Sequence, residues 1–166
     1  MGVQEAHNRW RYPDMKLAEG LSQRKDLQAR ISQLKDRLIN NVKVQEGNEP
    51  AEDPEELKQE LDCCLERLEK YIFRINKTNM QTITASGKTL TQMMAERDVL
   101  AKRLSVLREV YQFASQTYDR YSRNEIRTVT TIDVKPLHKE IDHYSQQYRE
   151  LDMEIQALNF TVDLLE

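Results

Sequence analysis

Glycine and proline are scarce in this sequence, four of each among 166 residues. A compact α/β enzyme needs more glycine than this for its turns and phosphate-binding loops. Cysteine is nearly absent. Cys63 and Cys64 are adjacent; neighbouring cysteines rarely bridge each other, and no other cysteine exists to build a disulfide framework. Free thiols suit a reducing cytosol. No run of about 18 apolar residues offers a membrane span. The first residues carry no apolar h-region, so the sequence predicts no secretory signal and a cytoplasmic protein. An excess of one charge is also lacking. The 25 basic and 28 acidic residues leave a formal net charge of -3. That speaks against a general nucleic-acid binder and against electrostatic docking on anionic membranes.

What the sequence does hold is charge and helical periodicity. Charged residues make up 32% of the chain and hydrophobic ones 39%. This balance suits elongated helices with a narrow apolar seam and a wide polar face. Residues 1–14 stand apart. They contain the single Trp10 with His7, Arg9, Arg11, Tyr12 and Pro13, and show no period. They read as a tail or extension, with an aromatic-basic arm as the functional alternative, and 15–166 as a single helical domain.

A first helix is expected from about Lys16 to Val42, with Leu27, Ile31, Leu34 and Leu38 as its seam and Leu17 and Leu21 slightly out of register. A polar loop over 43–53 follows. Asp53 can cap the second helix, Pro54 fits its first position, and Glu55 and Glu56 suit the positive end of the helix dipole. Leu57, Leu61, Cys64, Leu68, Tyr71 and Ile75 form the seam, and Asn76, Thr78 and Asn79 read as helix-ending turn residues. Thr89 with Gln92 matches a capping box for a third helix. Its seam is Leu90, Met93, Arg97, Leu100, Leu104, Leu107, Tyr111, Ala114, Tyr118 and Tyr121, over roughly 50 Å.

Residues 126–134 are dense in β-branched side chains and are expected to be extended or β. Pro136 leads into a fourth helix with Leu137, Ile141, Tyr144, Tyr148, Leu151, Ile155, Leu158, Val162 and Leu165 on its seam, a regular heptad signal. The expected fold is therefore all-α: about four long, antiparallel, coiled-coil-like helices with a small extended or β segment near 126–134. The third and fourth helices, long and matched, should pair as a hairpin.

Several stretches carry a family resemblance: Met15 to Leu21, Arg24 to Ile31, Val44 to Gly47, Arg74 to Asn79, Gly87 to Thr91, Glu96-Arg97-Asp98, Arg120 to Arg123, and Asp142 through the closing Leu-Leu-Glu. Together they resemble a family of small bacterial proteins often named septicolysin, over nearly all of 15–166. The resemblance implies an all-helical fold with a small β element, and no reaction, cofactor or catalytic residue. Its name implies a cytolysin. A secreted lysin needs an export signal and a membrane-inserting surface, and the residues offer neither.

Candidate chemistry is thin. Gly87-Lys88-Thr89 matches the end of a phosphate-binding loop, but the motif needs glycine at 82, where Thr82 stands; a turn at Gly87 and a cap at Thr89 account for it. His138 and His143 lie five apart, whereas two ligands on one helical face need three or four. No metal or cofactor is implied. Arg97 is a lone cation in an apolar seam, where it either sets register or oligomer state or snorkels its head to water. Arg120, Arg123 and Arg127, with Tyr118 and Tyr121, form the best basic-aromatic cluster; it can bind phosphate or stack on bases, or cap the end of the third helix. Arg97, Arg120, Arg123 and Arg127 are thus the candidate ligand or partner residues. The sequence favours a non-enzymatic helical interaction protein that forms homo-oligomers through coiled-coil faces. The alternatives are a membrane-active cytolysin and a ligand- or nucleic-acid-binding protein using Arg120 to Arg127.

Overall fold

The computed structural model describes residues 15–116 and 129–166. Four helices follow in order: α1 Leu17–Asn41, α2 Pro54–Gln81, α3 Leu90–Ser115 and α4 Val134–Thr161. The fold is all-α. Among the described residues no strand forms; two isolated bridges, Lys16 with Asp163 and Ile83 with Thr89, are the β-type pairings. Within the expected domain over 15–166 the chain makes two compact units. One holds the residues up to Thr82 together with Leu158–Glu166, the other Ile83–Ala157. The tail over 1–14 lies outside the described residues.

In the first unit, α1 and α2 run antiparallel, since Arg30 pairs with Glu60 and Arg37 with both Glu52 and Glu60. Their buried positions recur every seven residues: Gly20, Leu27, Leu34 and Asn41 on α1, and Leu57, Cys64, Tyr71 and Thr78 on α2. This is the period that keeps one face turned to a partner helix. The loop between them is closed by Asn41, whose Nδ2 donates to the Arg37 carbonyl at 2.9 Å while its Oδ1 accepts the Glu52 amide at 3.0 Å. Asp53 caps α2 through the Glu55 amide, with Pro54 at the first helical position.

The same unit is completed by the last residues of the chain. Leu17 N–H donates to the Val162 carbonyl and Leu164 N–H to the Met15 carbonyl, each at 2.9 Å. Arg74, 5% exposed, donates from Nε to the Leu165 carbonyl at 2.9 Å and from a terminal nitrogen to the Leu164 carbonyl at 3.3 Å. The Leu164 side chain rests on Gly20, where an added Cβ would come within 2.7 Å of its Cδ2. A side chain at 20 would require the end of Leu164 to shift.

In the second unit, α3 and α4 are also antiparallel: Arg97 meets Asp152, Arg103 meets Tyr144, and Tyr111 lies against His138. This is the expected hairpin. Leu104, Leu137 and Ile141 form its buried cluster, with Leu107, Tyr111, Tyr144 and Tyr148 packed around them. Thr89 and Gln92 make the capping box at the start of α3. Gly87, at φ 77°, makes the turn just before it.

Four local expectations are corrected. The helix α2 does not end near Asn76–Asn79; it continues through Gln81, and Thr78 is fully buried. Its hydroxyl donates to the Arg74 carbonyl at 2.8 Å, which satisfies the polar group without breaking the helix. The third helix ends at Ser115, giving it about 39 Å rather than 50; Gln116 turns extended at ψ 122°. Of the segment expected to be extended or β, residues 129–133 lie outside any helix and form no strand, and those before them lie outside the described residues. Helix α4 starts at Val134, so Pro136 falls inside its first turn, where the missing N–H has no helical partner to lose, and Asp133 accepts the Lys135 amide. Finally, Leu164 and not Leu165 is the buried residue at the end. The helix stops at Thr161, and beyond it the backbone bonds of Val162 and Leu164 to Leu17 and Met15 replace the helical period.

Candidate interaction surface

Arg97 sits where the seam of α3 meets α4. Its guanidinium pairs with Asp98 at 2.9 Å and with Asp152 of α4 at 3.4 Å, and its side chain is 23% exposed. The bond to Asp98, more than the cost of burial, raises its pKa above the ordinary arginine value; the charge of Asp152 adds to this. The cation is thus neither wholly in water nor buried alone. It links α3 to a carboxylate on α4. Arg120, Arg123 and Arg127, with Tyr118 and Tyr121, lie outside the described residues.

Nearly two helical turns along, Arg103 donates to the Tyr144 hydroxyl at 2.6 Å and lies 4.6 Å over the ring centroid. An open cleft of about 610 Å³ is lined here by Val99, Leu100 and Leu151 with Glu96, Glu150, Glu154 and Arg103. Glu96 is held by Lys88, and Glu150 accepts from Gln146 at 2.8 Å. No Ser, Cys or His lines the cleft. The two described histidines have separate partners: His138 faces Asp142 at 3.2 Å, and His143 faces Gln147 at 3.1 Å. Among the described residues no group of three or more His, Cys, Asp or Glu is placed to hold a metal. No described helix is long and apolar enough to cross a membrane.

The most distinctive surface was not singled out from the sequence. Alongside the seam of α3 runs a second stripe, Val99, Arg103, Val106 and Val110, spaced four, three, four. Each position lies one residue before a seam position, hence about 100° round the helix. Val99 is 64% exposed, Val106 50% and Val110 40%. A small apolar groove along it is lined by Val99, Val106 and Leu107 with Lys102 and Arg103. Phe113, 67% exposed, continues the period. The signal was legible: the valines recur at heptad spacing. The seam beside it is longer and its periodic signal is stronger.

Long antiparallel helices with a charged exterior and a doubly apolar α3 define an all-α helical-bundle protein. Residues 24–164 match a family of unknown function, DUF6847, and the chain belongs to that family. It is also similar to a solved structure described as a functionally unknown conserved protein from Corynebacterium diphtheriae. The two share 39% sequence identity, with 92% of this chain and 99% of that one covered and a TM-score of 0.82. Neither description speaks of septicolysin or of lysis. No curated protein matches this chain.

Proposed function

We propose that this protein is a non-enzymatic helical interaction protein that self-associates through apolar helix faces in a reducing cytoplasm. The observation that carries the reading is the second stripe of α3. A helix that is apolar over two adjacent faces is ordinarily covered on both, and α4 accounts for the one containing Leu104 and Leu107. Exposed valines in a row at coiled-coil spacing invite a further helix. The α3–α4 cleft supplies carboxylates and an arginine but no nucleophile–base pair, so the reading draws no catalysis from it. The unbridged thiols of Cys63 and Cys64 support the reducing compartment.

Sedimentation equilibrium tests this. At micromolar concentration the chain should have the mass of a dimer or larger. Val106→Lys should shift it toward monomer with its helical circular dichroism unchanged, because Val106 is half exposed. A wild-type protein that is purely monomeric at such concentrations would overturn the proposal.

A further inference from the structure

The second stripe of α3 also carries information about direction, which rests on the self-association just proposed. Arg103 interrupts the valines. In a parallel pair of α3 helices the same residues face each other, so Arg103 would oppose Arg103 of the second copy, with like charges in contact. An antiparallel pair avoids this. With the two-fold axis beside Arg103 and Val106, Val99 of each copy lies against Val110 of the other, and Val106 lies against the aliphatic stem of Arg103. The Arg103 guanidinium is already drawn aside to the Tyr144 hydroxyl. Such an interface is isologous, and its contacts occur twice.

The flanking charges fit the same arrangement. Lys102 and Glu109 are both exposed and have no ion-pair partner among the described residues. They lie on the same edge of the stripe, seven residues apart, one on either side of its middle. In an antiparallel pair, Lys102 of one copy comes beside Glu109 of the other, and the reciprocal pair forms at the opposite end. We infer that this protein forms a two-fold homodimer by antiparallel pairing of α3 with α3 of a second copy, packed on Val99, Val106 and Val110 and oriented by Lys102–Glu109 pairs between the copies.

The test uses the full chain with exposed residues only. Lys102→Glu and Glu109→Lys, made separately, each set like charges together and should weaken the homodimer about tenfold in Kd. An equimolar mixture of the two variants should recover an affinity within about threefold of wild type, because in the mixed dimer both pairs are again of opposite sign. The chain carrying both substitutions should behave likewise. If wild type is a dimer but the mixture stays as weak as the single variants, or the single variants dimerise like wild type, this pairing is wrong while self-association stands. A monomeric wild type removes both.

Discussion

The side chain of Thr78 holds the backbone of Leu165: its Oγ1 accepts the Leu165 amide at 2.9 Å while donating to the Arg74 carbonyl one turn back. A threonine in the last turns of α2, fully buried, thereby does for an extended segment what a neighbouring strand would do in a sheet.

Replacing Thr78 by valine keeps its shape and removes the acceptor. The Leu165 amide loses its partner, and urea unfolding should show a loss of about 1–3 kcal/mol. Thr78→Ser, which keeps the hydroxyl, should lose less. An equal loss in both would point to packing of the methyl group as the main contribution.

Gly20→Ala should destabilise by about 1–3 kcal/mol, the usual range for overpacking, since the new methyl meets Leu164 at 2.7 Å. The obstacle is the end of a single side chain. In a Leu164→Ala background the added cost should therefore mostly disappear, and a double-mutant cycle measures that coupling.

On α4, Ile155 is 2% exposed, Leu151 is half-buried beside the cleft, and Glu150 is exposed. Ile155→Ala should cost about 2–5 kcal/mol and Leu151→Ala distinctly less. Glu150→Ala should stay within about 0.5 kcal/mol. Chemical denaturation of the three variants checks the order; a larger effect at Glu150 than at Ile155 would mean that the helix is rotated.

The Arg37–Glu52 pair gives a pH signature. The hydrogen bond from Arg37 holds the Glu52 carboxyl below its ordinary value of 4.5, outweighing the opposing effect of desolvation. A carboxyl lowered on folding contributes stability above its unfolded pKa and loses it as pH falls through the folded one. Wild type should therefore be more stable than Glu52→Gln at neutral pH, and the gap should close on acidification below 4.5. Urea midpoints across that range test it. A gap that does not change with pH would mean that the charge of Glu52 is not the cause.

Much of this architecture is readable in the chain itself. Leu57, Cys64 and Tyr71 announce the buried face of α2 by spacing alone, and Thr89 with Gln92 marks the start of α3 to the residue. What escapes is where distant chain overrides local preference. Asn76, Thr78 and Asn79 resemble a helix end, and nothing local reveals that residue 165 supplies a partner for Thr78. Leu165 continues the heptads of α4 on paper, but the chain has left the helix by then and its neighbour Leu164 is inserted instead. Arg97 was legible as an oddity, whereas its partner Asp152 lies on another helix. The valine stripe was visible but overshadowed by the longer seam beside it.

The strap formed by residues 162–166 has a consequence for the order of events at the ribosome. Helices α1 and α2 are translated long before the segment that Gly20, Arg74 and Thr78 receive. At ordinary elongation speeds the stretch from Ile83 to Ala157 takes roughly 4–15 s to make. Throughout that interval Gly20, Arg74 and Thr78 have been made but the segment they contact has not. A nascent chain stalled before residue 162 would lack the segment that Gly20, Arg74 and Thr78 receive.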